Sequence, residues 1–304
     1  MIENNNVFDP LAPIEDDVEE HAEPSDLDDN YKALAKTIFN ETPAKSEGLL
    51  DILRHRILDE EKWNVPTSNR YLLKMLRAGN YDVEGALQVI REYYTHFQLR
   101  PNYFRFCTKE NIDKVLGVPI QTVLPHRDRH QRRILILRTE HWDPATLTYP
   151  ELFCAGYMLC ELMSLEPKNQ IAGVTCVVDL TGYSFAHMHS FTWDGIKSSI
   201  ALLQNSFPLW MRAVHFVNVP LLFRATFHLI SPMLSDEMKE CIFMHYSLED
   251  LYDHLDPAIL PTELGGTNGP LDNENCKKLL FQMLDYFQRA QTYSIKSNAE
   301  PQES

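Results

Sequence analysis

Ser206-Phe-Pro-Leu-Trp-Met-Arg-Ala-Val-His-Phe-Val-Asn-Val-Pro-Leu-Leu-Phe-Arg-Ala-Thr-Phe-His-Leu-Ile230 decides how this chain folds. It reads as an apolar strand, a proline break, and a helix that is apolar on nearly every side. From Leu221 to Ile230 the polar positions are Arg224, Thr226 and His228, with Ser231 just after. Arg224, His228 and Ser231 fall at i, i+4 and i+7, which makes one narrow polar stripe. Leu221, Leu222, Phe223, Ala225, Phe227, Leu229 and Ile230 occupy the rest of the surface. A helix of that composition is either sunk in a core or covers something that is itself apolar.

The remainder of the chain bounds the choice. At 304 residues it can hold two domains and bury a substantial core. No apolar run reaches the roughly 20 residues of a membrane-spanning helix. The opening Met1-Ile-Glu-Asn-Asn-Asn6 has no secretory-signal pattern. Cys107, Cys154, Cys160, Cys176, Cys241 and Cys276 are scattered without a Cys-x-x-Cys or finger spacing, so they read as reduced, mostly buried thiols, and the cytosol is the expected compartment. The formal charge is −15, but eleven Asp and Glu lie in residues 1–30 without a Lys or Arg, which leaves about −4 for the rest. So acidic a chain argues against nucleic acid as a partner. Residues 1–30 and 291–304 read as disordered tails, the first one acidic.

Residues 31–104 are helical throughout, with helices around Leu49–Leu58, at Asn69–Ala78 and at Val83–Phe97. Gly79-Asn80 breaks the chain between the last two, and Asp82 caps the third. After Pro101 the pattern changes. Apolar runs at Ile134–Arg138, Gly173–Asp179, Val214–Val219 and Cys241–Tyr246 read as buried strands. Helices at Tyr149–Leu165, Phe191–Asn205 and Leu221–Ile230 lie between them. Buried strands joined by helical crossovers give an α/β fold with a mainly parallel sheet. Ser247-Leu-Glu-Asp250 is a capping box.

No catalytic motif is present, so no catalytic residue and no cofactor is expected. His187-Met-His189 has no carboxylate or cysteine beside it and reads as polar loop surface, not a metal site. His126-Arg-Asp-Arg-His-Gln-Arg-Arg133 reads as the charged turn before a strand, with phosphate contact as the alternative. Glu161, set among apolar residues, reads as half of a buried ion pair, with general-base duty as the alternative.

Several pieces in order carry a resemblance: the helical unit with Tyr71-Leu-Leu-Lys-Met-Leu-Arg-Ala78 and Tyr81-Asp-Val-Glu-Gly-Ala86, then Arg138-Thr-Glu-His-Trp-Asp-Pro144, Val178-Asp-Leu-Thr-Gly-Tyr183, Ser206-Phe-Pro208, Val214-His-Phe-Val-Asn-Val-Pro220 and Leu260-Pro-Thr-Glu-Leu-Gly-Gly266. Together they resemble the CRAL-TRIO (Sec14-like) lipid-binding family, in the branch of tocopherol and retinaldehyde carriers, over residues 45–290. The resemblance implies a small N-terminal helical domain (31–104) and an α/β lipid-binding domain (105–290). Its sheet would floor a hydrophobic pocket, and the helix after Pro220 would be a mobile lid.

The family's ligand positions correspond to Phe153, Gly156, Cys160, Val174, Cys176, Val178, Leu202, Leu203, Phe207, Leu209 and Val214. Phe185, Leu222, Phe223, Phe227 and Leu229 are the expected lid and membrane contacts. At the five basic positions with which the tocopherol carrier grips phosphoinositides, this chain has Gly79, Trp210, Arg212, Glu237 and Cys241. Phosphoinositide contact therefore falls to Arg212, with Lys239 as a partial substitute. The function implied is intracellular binding and transfer of a bulky hydrophobic molecule, tocopherol- or retinoid-like, by a monomer that touches membranes transiently. Phosphoinositide exchange or a lipid-sensing adaptor role is the alternative, and an enzyme using Glu161 or the histidines is the third reading.

Overall fold

The computed structural model describes residues 27–295, apart from the side chains of Asn102, Tyr103 and Asn205. The expected tails lie outside these residues up to 26 and from 296 onward. Their inner ends differ from expectation. The first helix is capped by Asp28, whose carboxylate accepts from Asn30 N and Tyr31 N at 3.1 Å each. At the other end, Ser294 pairs with Asn64 in an antiparallel bridge.

Four helices build the N-terminal part: α1 (Asp29–Phe39), α2 (Pro43–His55), α3 (Asn69–Ala78) and α4 (Val83–Gln98). Ser68 and Asp82 cap α3 and α4 by accepting from Tyr71 N and Gly85 N, as such residues do at helix starts. The turn between α3 and α4 brings two backbones into contact: a Cβ on Gly79 would lie 2.2 Å from Ala86 N. Helix α5 (Lys109–Leu116) leads into the sheet.

The sheet has five strands in simple order: β1 (Gln121–Arg127), β2 (Arg133–Arg138), β3 (Val174–Asp179), β4 (Met211–Val217) and β5 (Ile242–Met244). β2 to β5 run parallel, and β1 pairs antiparallel with β2. β1 has no counterpart in the sequence reading, because Pro125, His126 and Arg127 break its apolar alternation. β5 is half the length expected. Between strands come α6 (Tyr149–Ser164), α7 (Pro167–Ala172), α8 (Phe185–Ser190), α9 (Trp193–Ala201), α10 (Leu221–Ile230) and α11 (Asp236–Glu240). The expected helix at Phe191–Asn205 starts two residues later, at Trp193, and its end winds into a π-turn, Leu202–Ser206. α12 (Leu248–Tyr252), α13 (Glu274–Gln282) and α14 (Leu284–Ala290) follow the sheet.

Register sorts the strands' side chains onto two faces, since paired residues share a face and neighbours along a strand alternate. The outer face carries Ile134, Ile136, Val177 and Val217, sealed by Leu251, Leu255, Leu260 and Leu264. The inner face carries the row Leu135–Cys176–Val214–Ile242 and the row Gln121–Leu137–Val178–Phe216–Met244. One continuous core joins α1–α6, the inner face and the C-terminal helices. Helices on both sides of the expected boundary at residue 104 contribute to this core.

Candidate functional site

The two faces of the sheet differ in one decisive respect. On the outer face Ile134, Ile136, Val177 and Val217 are each 0 % exposed. On the inner face Leu137, Val178, Val214, Phe216, Ile242 and Met244 all remain partly accessible, although helices cover them. Leu137, Val178, Val214 and Phe216 stand on the inner strands β2–β4, where apolar side chains stay accessible only if the covering layer stands away from them, because native interiors close-pack. Opposite them, α6 presents Leu152, Phe153 and Gly156 as a partly accessible stripe, with Cys160 one turn on. Gly156 leaves its side of the helix bare. Cys160 stays apolar, since burial, helped by the charge of Glu161, pushes its thiol up to about 12.

Helix α10 closes this space over the C-terminal half of the sheet. The Phe223 ring lies 4.9 Å from Phe216 and 5.4 Å from Tyr183, and Phe227 lies 6.0 Å from Phe216. Leu180, Val219 and Phe223 form a small separate cluster there. Both ends of the helix are tied. Before it, Asn218 donates to Asp179 Oδ1 (2.9 Å) and Thr181 Oγ1 (3.0 Å). After it, the Gln204 amide in the π-turn accepts from Ser235 N (2.6 Å) and donates to the Met233 carbonyl (3.4 Å).

A model of the CRAL/TRIO domain matches residues 120–266, from the start of β1 to the paired glycines after the sheet. The human alpha-tocopherol transfer protein-like protein is 31 % identical over 244 residues, covering 79 % of this chain and 70 % of its own length. This chain belongs to the CRAL/TRIO family. Clavesin-1 of Rattus norvegicus is also 31 % identical, over 209 residues, 68 % of this chain and 59 % of that protein. The crystal structure of Sfh5 superimposes with a TM-score of 0.51 at 16 % identity, covering 83 % of this chain and 98 % of that one, which shows the shared fold.

Within this CRAL/TRIO domain the expected ligand positions divide. Phe153, Gly156, Val178 and Val214 border the accessible space, with Cys160 and Cys176 nearly buried beside them. Val174, Leu202 and Leu209 are packed walls, and Phe207 is wedged against Tyr93 and Tyr157 at 6.1 Å each. Leu203 is a correction. The π-turn sends it outward, 39 % exposed. Leu137, Phe216, Ile242 and Met244 stand on the same face and were not among the positions that the resemblance implied.

Four of the expected lid and membrane contacts, Leu222, Phe223, Phe227 and Leu229, stand on α10. Phe223 and Phe227 face the sheet, not the surface, and Leu222 is half-buried. The exposed apolar side chains are Leu221 and Leu229 on α10, Phe185 and Trp193 on α8 and α9, and Leu203. Phe185 follows by two residues the Tyr183 ring that Phe223 touches.

Of the anion-binding expectations, Lys239 is exposed and paired with Asp236 at 2.9 Å, with Glu237 and Glu240 on the same short helix. That arrangement leaves little free positive charge. Gly79 admits no side chain at all. Arg212 lies over the Trp210 ring at 4.6 Å. Burial, then the charge of Arg132, lowers its pKa, and no carboxylate is within ion-pair distance of either arginine among the described residues.

The remaining candidates resolve structurally. Glu161 is wholly buried and satisfied by Lys74, Tyr93, Tyr286 and Ser164. His187 is buried, not loop surface: its ring accepts from Ser184 N at 3.0 Å and reaches the Trp142 carbonyl at 2.8 Å. Arg127 and Arg133 both grip Glu166, so the basic turn is partly an internal clamp. Among the described residues no group of three or more His, Cys, Asp or Glu could hold a metal. A separate cleft of about 170 Å³ between α4, Pro101, Phe104 and the end of α14 includes none of the expected ligand positions.

Proposed function

We propose that this protein is an intracellular carrier that holds a bulky hydrophobic molecule, tocopherol- or retinoid-like, between the inner sheet face and α6, and passes it between membranes when α10 opens. The observation that carries the reading is the row of accessible apolar side chains beneath a closed apolar helix. Burying about 400 Å² of apolar ligand there contributes roughly 10 kcal/mol before association costs. Spontaneous escape is then slow, and release calls for the lid to move. Leu221 at 77 % and Leu229 at 66 % exposure stand on that lid with nothing over them. A bilayer interface receives such side chains, which supports coupling of opening to transient membrane contact. Unpaired thiols at all six cysteines fit the cytoplasm. No described helix is long and apolar enough to cross a membrane. The reading is of a monomeric binding protein, not a catalyst.

The test is extraction of the natively purified protein followed by mass spectrometry of the extract, with quenching of a fluorescent retinoid as a second readout. A copurifying lipid is expected, lost in Val178→Trp, which fills the space from the floor while unfolding remains cooperative. A protein that carries no lipid and quenches no fluorescent one defeats the proposal.

Phosphoinositide exchange has one observation in its favour, the unneutralised pair Arg212 and Arg132. Binding to phosphoinositide vesicles that weakens with salt and is lost in Arg132→Ala is the outcome that would favour it.

A further inference from the structure

Gln121 is the first residue of β1 and stands opposite Leu137, at the end of the row Leu137–Val178–Phe216–Met244 on the inner face. It is 5 % exposed. Its Nε2 donates to the Leu152 carbonyl of α6 at 3.0 Å. That bond fixes which way the amide points, and so makes the other atom the oxygen. Oε1 is shielded from solvent and has no hydrogen-bond partner. A buried acceptor left unpaired is unfavourable and rare enough to call for a reason.

The surroundings supply one. Leu137, Leu152 and Gly156 touch Gln121 by register, by hydrogen bond and by proximity, and each of the three is partly accessible. Gly156 makes the arrangement possible, since a Cβ there would stand 3.3 Å from Nε2 and 3.6 Å from Oε1. Buried amide oxygens without partners also occur on Asn111, Asn169 and Asn273, but those residues lie outside the sheet. Among these four amides, Gln121 is the one on the sheet, and its orphan acceptor lies behind side chains that border the proposed ligand space.

We propose that Gln121 selects the ligand by accepting a hydrogen bond from its hydroxyl group, so that the cargo is an apolar alcohol or phenol and not an aldehyde, ester or plain hydrocarbon. This rests on the carrier reading. One N–H of the amide is committed to Leu152, and Oε1 can only accept. An aldehyde or an ester offers only acceptors, which leaves Oε1 unpaired. A hydroxyl pairs it, and discrimination by a buried hydrogen-bonding group exceeds what a change of apolar volume gives.

The experiment compares all-trans-retinol with retinyl methyl ether, by fluorescence titration, in the wild type, Gln121→Leu and Gln121→Asn. A fourth protein, Gly156→Ala, crowds the amide without removing it and serves if the polar variants fail to fold. The expected result is retinol bound about tenfold tighter than the ether by the wild type. The two should be bound equally by Gln121→Leu, and the preference should be reduced in Gly156→Ala. A preference that persists undiminished in Gln121→Leu is steric and overturns the proposal. So does equal binding of both probes by the wild type, as when an ordered water satisfies Oε1. Binding of neither probe by the wild type overturns this inference, and a preparation that also carries no copurifying lipid sinks the carrier reading with it.

Discussion

Asn218 sits where the sheet becomes the lid, and its backbone is left-handed at φ 53°. Asparagine tolerates that region better than other residues with a side chain, and its amide joins the ends of β3 and β4 through Asp179 and Thr181. Asn218→Ala is expected to cost about 2 kcal/mol, half from backbone strain and half from the lost hydrogen bonds. Asn218→Gly relieves the strain and is expected to cost about 1 kcal/mol. Urea midpoints of the two variants measure the difference, and ligand should leave faster from both. If Gly is as harmful as Ala, the left-handed backbone is not where the strain lies. At this scale legibility depended on the family resemblance. Phe153, Gly156 and Cys160 could be named only through it. Gln121 could not, because Pro125 and the charges after it hid the strand that presents it. Lys239 looked like a free cation only because sequence does not show its bond to Asp236.

Elements were legible where local chemistry stops and starts them. α3 and α10 have the boundaries read from sequence, since Ser68, Gly79 and Pro220 mark them. β5 was overread, because an apolar run at an edge needs a partner to become a strand, and β4 offers it only three residues. That short pairing has a particular neighbour. His215 on β4 meets His245 just after β5, Nδ1 to Nε2 at 2.9 Å, and the His254 ring lies tilted beside it at 5.0 Å. The two paired histidines therefore bracket the whole lid segment. Burial, then the charges of His245, His254 and Arg132, pushes His215 down to about 3, and burial likewise lowers His245, against the pull of Asp250 and Asp253. A histidine whose folded value lies below its unfolded 6.5 binds fewer protons when folded. Its contribution is intact above pH 6.5 and is lost as pH falls from there toward 3. Going from pH 7.5 to pH 5 should cost about 2 kcal/mol through His215 alone. His96, held down to about 4 by burial and Arg100, titrates in the same window. The informative quantity is therefore the difference between wild type and His215→Phe in urea midpoint at the two pH values. The variant should lose about 2 kcal/mol less, and the amide protection factors at Ile242–Met244 should fall on acidification in the wild type only. Parallel pH curves for the two proteins would remove His215 from the account.

For the whole molecule, the architecture was legible in the sequence, while the packing between its helical and α/β parts was not. Helix-rich and strand-rich stretches do meet near residue 104, but composition cannot show that α3, α4 and α14 close against α6 in one core. The centre of that junction is ionic. Glu161 of α6 is 0 % exposed and receives Tyr93 from α4, Tyr286 from α14 at 3.0 Å and Ser164 at 3.3 Å, with Lys74 of α3 at 3.6 Å. Two buried charges in contact gain little over an apolar pair, because desolvation offsets their attraction, yet either one alone is strongly unfavourable. Lys74→Met should therefore destabilise by about 3–5 kcal/mol, since it strands the carboxylate. Glu161→Gln should do comparable harm by stranding the ammonium. The double variant keeps volume and loses both charges, so it should recover most of the deficit. Unfolding in urea followed separately by Trp63, beside the N-terminal helices, and Trp142, beside the sheet, reads both points at once. With a shared core the two probes should report one transition in every variant. Two transitions would mean that residues 31–104 and 105–290 unfold as separate domains. Additive losses in the double variant would mean that Lys74 and Glu161 stabilise the fold separately, through their other partners, and that the charge pair is not what holds the helices to the lipid-binding half.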